Sequence, residues 1–138
     1  MAPLSAAVKK ARETHKVSRA KPGDPYKADC PTRMALDRIA DKWTVLVLGL
    51  LAAESLRFNQ LRRAVEGLSQ KMLSQTLKTL ERDGLVSRKA FATVPVTVEY
   101  TITPLGRTLA SALSPIALWA TEHIDEILRS RERYDRAR

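Results

Sequence analysis

The chain has 138 residues, 24 lysines and arginines against 15 acidic side chains, a net charge of +9 and one cysteine, Cys30. That length suits one domain with a modest core, and the charge favours a polyanion as partner. A single thiol has no internal partner, which excludes a secreted domain held together by disulfides. The charge is uneven. Residues 1–29 carry +4, residues 30–110 carry +5, and residues 111–138 balance to zero. The neutral last segment is therefore not the polyanion surface. No apolar run approaches a transmembrane span, Val45 to Ala53 being too short, and no hydrophobic signal core is visible near the N-terminus. The expected location is cytoplasmic, with no membrane partner.

Residues 1–28 mix alanines with Lys9, Lys10, Arg12, Lys16, Arg19, Lys21 and Lys27, and Lys21-Pro22-Gly23-Asp24-Pro25 breaks any helix there. They read as a flexible basic leader, with a DNA-grazing arm as the alternative. His15 stands alone and reads as solvated. Asp29-Cys30-Pro31 looks like a helix start with Pro31 in the first turn, and Leu36, Ile39 and Ala40 give that helix an apolar side. Asp41 then caps a second helix, Lys42 to about Ala52, whose Trp43, Val45, Leu46, Val47, Leu50 and Leu51 mark it as the buried central helix. Trp43 reads as core rather than as a ligand-stacking residue.

The stretch from Ser55 to Tyr100 carries the chemistry. A short helix, Phe58 to Val65, sets Phe58, Leu61 and Val65 on one side and Arg62 and Arg63 on the other. Gly67 breaks it. Ser69 is a fitting N-cap for a further helix to about Asp83, with Gly84 where a left-handed residue is wanted. Leu73, Leu77 and Leu80 form its apolar stripe. Its other face bears Gln70, Lys71, Ser74, Gln75 and Lys78, with no acid before Glu81. Two helices joined by a tight glycine-containing turn, the second polar and basic at its start, make a helix-turn-helix. Leu85 to Phe91 and Val96 to Thr103 follow as strands, with Thr93, Val94 and Pro95 at the reversal. The expected fold is therefore mainly α with a small β-wing, a winged helix-turn-helix.

Pro104 opens a long C-terminal helix that Pro115 should kink or split. Along it Leu105, Leu109, Ala112, Leu113, Ile116, Trp119, Ala120, Ile124, Ile127 and Leu128 recur at spacings of three and four. One winged helix has one core, so this stripe calls for a second subunit; packing back on its own domain is the alternative. The interface residues expected are Leu109, Leu113, Ile116, Trp119, Ile124 and Ile127. His123 sits beside them as an interface or surface histidine. No other histidine or cysteine lies at ligand spacing, so no metal and no cofactor are expected. The division expected is a leader over 1–28, a winged helix-turn-helix over 29–103 and dimerisation helices over 104–138.

Several collinear motifs resemble the HxlR-type winged-helix transcriptional regulators, relatives of the MarR group. They are Cys30-Pro31, Asp41-Lys42-Trp43-Thr44, Arg57-Phe58-Asn59-Gln60-Leu61-Arg62, Leu68-Ser69-Gln70-Lys71-Met72-Leu73-Ser74-Gln75, Leu80-Glu81-Arg82-Asp83-Gly84-Leu85-Val86, Val98-Glu99-Tyr100 and Leu105-Gly106. The resemblance runs from Cys30 to about Trp119. It implies a homodimeric bacterial repressor or activator that sets two winged helices, flanked by N- and C-terminal dimerisation helices, on a pseudo-palindromic operator. Some members of the family sense electrophiles, quinones or oxidants through the cysteine matching Cys30. The wing departs from the family pattern: Thr97 stands where an arginine is usual. The leader before Cys30 is also longer than is typical.

Double-stranded DNA is thus the expected partner. Gln70, Lys71, Ser74, Gln75 and Lys78 are the candidates for base readout, since glutamine can pair with an adenine edge and lysine with guanine. Arg57, Arg62, Arg63, Ser69, Arg88 and Lys89 are the candidates for phosphate contact. Cys30 has two readings: a buried small hydrophobe, or a thiolate favoured by the start of a helix and open to a small oxidant or electrophile. Two other functions stay open, a protein-docking winged helix and a regulator with a small-molecule pocket near Trp43 and Trp119. The sequence has no phosphate loop, metal cluster or nucleophile triad, so it is not read as an enzyme.

Overall fold

The structure is a computed structural model that describes residues 31–138 together with Ala6, Lys9, Lys10 and Tyr26. The leader and Cys30 lie outside these described residues. Residues 1–41 and 42–138 form two units. In the first, α1 (Pro31–Ala40) begins on a proline, whose missing N–H would have had no partner in a first turn. No residue of α1 is buried, and its Met34 and Leu36 are exposed.

The second unit begins with α2 (Lys42–Ala53). Thr44, Val47, Leu48 and Leu51 recur at helical spacing and are its buried residues. The helix expected to be the buried central one is buried on one face only: Leu46 is 46% exposed and Gly49 is open to solvent. A domain with one core covers one face of a helix, whatever the hydrophobicity of the other.

Next comes a strand too short for any sequence pattern to announce, β1 (Leu56–Arg57). It pairs antiparallel with β3 (Thr97–Ile102), Leu56 opposite Tyr100 and Arg57 opposite Glu99. On the other side of β3 lies β2 (Val86–Phe91), in register from Val86 opposite Ile102 to Phe91 opposite Thr97. The sheet order is β1-β3-β2. Val86, Tyr100 and Ile102 are buried on the face that meets the helices.

Between β1 and β2 run α3 (Phe58–Ala64) and α4 (Gln70–Arg82). Leu61 of α3 and Leu73, Thr76, Leu77 and Leu80 of α4 close the core with Val65 and Leu68 from the turn. Gly67, at φ +84°, lets that turn reverse. The end of α4 is a Schellman motif: the Leu85 N–H donates to the Leu80 carbonyl at 2.9 Å and the Gly84 N–H to the Glu81 carbonyl at 3.0 Å, with Gly84 at φ +76°.

The last helix, α5 (Pro104–Arg136), is continuous over 33 residues, about 50 Å. Pro115 does not split it. One N–H is lost there, and the turns on either side carry the helix through. Thr103 is its N-cap, accepting from the Gly106 N–H at 3.0 Å. The Thr103 hydroxyl also donates to the Gly84 carbonyl at 2.7 Å, and the Thr103 N–H donates to the Leu85 carbonyl at 3.1 Å. The start of α5 is thereby tied to the end of α4. Arg107 adds a bond from its guanidinium to the Ala52 carbonyl at 3.2 Å, at the C-terminus of α2. Only Gly106 and Leu113 of α5 are buried. Among the described residues, no helix is long and apolar enough to cross a membrane.

Gly106 is where this junction is tightest. A Cβ there would collide with the Leu85 carbonyl oxygen and lie 2.8 Å from Ile102 Cγ1. Gly106→Ala is therefore expected to destabilise the fold by on the order of 3 kcal/mol, because the obstructing atom is backbone and cannot swing aside. Urea denaturation of the two proteins measures this, and a variant as stable as the parent would contradict the packing described.

Candidate nucleic-acid interface

The polar face of α4 is prepared by its own N-cap. Ser69 Oγ accepts from the Met72 N–H at 3.1 Å and so satisfies one free donor of the first turn. With the leucine stripe directed into the core, Gln70, Lys71, Gln75 and Lys78 are exposed and Ser74 is half-buried. All five base-readout candidates thus share the outward side of one helix. α4 has no acid in its first turn. Ser69, a phosphate candidate, is engaged as the cap. Its oxygen accepts from the backbone, and its hydroxyl proton is the group left for a phosphate.

The arginines flank this helix from two directions. Arg57 ends β1 immediately before α3, and Arg62 and Arg63 lie in the last turn of α3; all three are exposed. The Arg57 N–H donates to Gln60 Oε1 at 2.8 Å, which fixes the first turn of α3. Arg88 and Lys89, both phosphate candidates, are separated by the alternation of the strand. Arg88 lies opposite the buried Tyr100, whereas Lys89 lies opposite Glu99. They leave opposite faces of the sheet. The Lys89 ammonium stands 5.2 Å over the ring of Phe91. Arg57 and Lys89 both adjoin Glu99 across the sheet, so Glu99 is flanked by a cation on each neighbouring strand. The sequence did not reveal this row, since β1 was not visible in it.

Thr97 lies at the wing tip, where β3 begins. Its hydroxyl lies 3.0 Å from that of Thr93, which also donates to the Pro95 carbonyl at 2.8 Å. The tip is braced by its own hydroxyls and presents Val94 and Val96 to solvent. Beside it, Arg57, Phe58, Gln60 and Arg63 face Pro95, Val96 and Val98 across a groove of about 480 Å³. That groove was also not foreseen, because it joins residues some 35 apart in the chain.

Along α5 the expected interface residues divide. Leu113 is 3% exposed and belongs to this chain's own core, which corrects its assignment to an intersubunit stripe. Leu109 is half-buried. Ile116, Trp119, Ile124 and Ile127 are exposed, Trp119 by 55%. The indole of Trp119 stacks on His123 with centroids 4.9 Å apart, and His123 Nδ1 lies 2.8 Å from the Trp119 carbonyl oxygen, to which it donates. Trp43 has different surroundings: Lys42 lies 4.6 Å over its ring, and its Cη2 is 4.0 Å from where Gly67 would carry a Cβ.

The family model described as HxlR-like helix-turn-helix matches residues 38–128, which include the whole helix-turn-helix and wing. The chain belongs to the HxlR family. A member from Escherichia coli (strain K12), the uncharacterized HTH-type transcriptional regulator YtfH, is 38% identical over 112 residues, 81% of this chain and 89% of that protein. The solved structure of YtfH from Salmonella typhimurium matches with a TM-score of 0.75 at 37% identity, covering 80% of this chain and 98% of that one. The redox regulator HypR, solved in its oxidized form, matches with a TM-score of 0.62 at 35% identity over 67% of this chain and 96% of its own. This HxlR-family protein is accordingly a transcriptional regulator of the helix-turn-helix type, and its winged helix is the DNA-binding element.

Proposed function

We propose that the protein is a homodimeric regulator that sets two α4 helices in successive major grooves of a pseudo-palindromic operator. The observation that carries this reading is the polar face of α4, where Gln70, Lys71, Gln75 and Lys78 are exposed together on a helix fixed by its cap and its leucine stripe. Gln70 and Gln75 read base edges, with Lys71, Ser74 and Lys78 beside them. Arg57, Arg62, Arg63 and Arg88 hold phosphates and set the register. Homodimerisation rests on α5. Ile116, Trp119, Ile124 and Ile127 form an apolar stripe that is exposed among the described residues, and a second copy of the same stripe is the simplest cover. Two recognition helices held about 34 Å apart then meet one turn of DNA.

The effector proposed is an oxidant or electrophile acting on Cys30. Two things support it: the place of Cys30 immediately before Pro31 at the start of α1, and the likeness of the chain to a protein described as a redox regulator. With one thiol per chain, the products open to it are a disulfide to another chain, a mixed disulfide with a small thiol, or a sulfur acid.

Gln70→Ala and Gln75→Ala are expected to weaken binding to the specific site by about 1–3 kcal/mol and to leave binding to random DNA unchanged. Titration of both variants on operator and random duplexes checks this, and equal losses on the two would remove the glutamines from base readout. Diamide is expected to change the operator affinity of the parent protein and to leave that of Cys30→Ser unchanged. An identical response from both would make Cys30 structural.

A further inference from the structure

The groove between α3 and the wing has a composition that phosphate clamping alone does not explain. Its volume of about 480 Å³ falls within the roughly 300–1,000 Å³ of small-molecule sites. One part of its lining is cationic, through Arg57 and Arg63, and the other is apolar, through Phe58, Pro95, Val96 and Val98. No carboxylate is among the described residues that line it. Among the described residues, neither guanidinium has an acid within ion-pair distance, although Glu99 is the cross-strand neighbour of Arg57. Gln60 Oε1 receives the Arg57 N–H, which leaves the Gln60 amide to donate. The Thr97 hydroxyl gives its proton to Thr93 Oγ1, whose own proton goes to the Pro95 carbonyl. The groove thus sets two positive charges beside an apolar wall.

We propose that this groove binds an organic anion with a flat apolar body, an aryl carboxylate being the chemical class that meets both sides of it. The carboxylate sits between Arg63 and Arg57, which can grip it in the forked geometry of paired N–H donors. The ring lies on Phe58 and on the Pro95–Val96 segment of the wing. A bare inorganic anion would leave that apolar wall in water, and a neutral arene would leave the guanidiniums without a counter-charge. The consequence for regulation rests on the DNA-binding reading above: Arg57 and Arg63 are proposed there as phosphate contacts, so the acid and the operator compete for the same guanidiniums.

The test uses the full chain and three probes, with 2-naphthoate as the acid, 2-naphthamide as its neutral isostere and inorganic phosphate as the anion without a ring. Calorimetry without DNA should show 2-naphthoate binding at least tenfold more tightly than either control. Arg63→Gln and Val96→Asp, both at exposed positions, should each weaken 2-naphthoate at least tenfold. Phosphate binding as tightly as the acid would reduce the groove to a backbone contact and overturn the proposal. Equal binding of acid and amide, or variants that bind like the parent, would overturn it too. Operator titrations without probe and with saturating 2-naphthoate complete the test, and the apparent Kd should rise at least fivefold with the acid. A protein that binds the acid but no operator at all would refute the DNA reading while leaving the groove assigned. A protein that binds the operator but not the acid would refute the groove alone.

Discussion

Thr103 holds together the two halves of what this protein does. Its hydroxyl accepts from the first turn of α5 and donates to the Gly84 carbonyl, and its N–H donates to the Leu85 carbonyl. One residue therefore caps the helix that carries the exposed apolar stripe and seizes the end of the helix whose polar face is proposed to read DNA. Gly106 completes the joint by letting α5 approach the Leu85 carbonyl more closely than any side chain allows. Leu113, two turns further along, adds the apolar seal. α5 and α4 are thus joined by hydrogen bonds from Thr103 to the Gly84 and Leu85 carbonyls. In the proposed dimer, such a joint would keep two reading helices at the spacing of a DNA turn.

Two amphipathic helices divide the work. In α4 the leucines face inward and the amides and lysines outward, which gives a surface without acids before Glu81 for a polyanion. In α5 the first turns are anchored at Gly106 and Leu113, and beyond Leu113 among the described residues nothing is buried. The same periodicity that builds a core at one end of α5 thus leaves an uncovered stripe at the other. The charge distribution follows this division. The positive excess lies up to residue 110, and the segment after it is neutral, as suits the proposed contact with a second copy.

Much of the fold was legible because its signals are local. Ser69 and Gly84 bracket α4 by capping chemistry, the 73-77-80 leucine spacing fixes its inner face, and the hairpin announces itself through valines, threonines and a proline at the tip. What the sequence did not reveal depends on partners distant in the chain. β1 is two residues long and exists only because β3 pairs with it. The outward face of α2 is as apolar as the inward one, so hydrophobicity could not say that Leu46 is exposed. Leu113 fits the stripe by spacing, yet the core reaches that far along α5. Pro115 forbids one hydrogen bond and does not end the helix. Arg88 and Lys89, adjacent in sequence, face opposite ways because a strand alternates. The basic groove beside the wing likewise appears only when residues 57–63 and 95–98 are brought together.

The account depends most on the uncovered stripe of α5 joining two copies. Sedimentation equilibrium of the full chain and of a Trp119→Glu, Ile124→Glu variant tests this directly, since both substitutions lie on exposed residues beyond the chain's own core. The account predicts a dimer for the parent and a folded monomer for the variant, with the operator affinity of the variant reduced to that of a single half-site. A variant that remains a dimer, or a parent that is monomeric at the concentrations where it binds its operator, would contradict it.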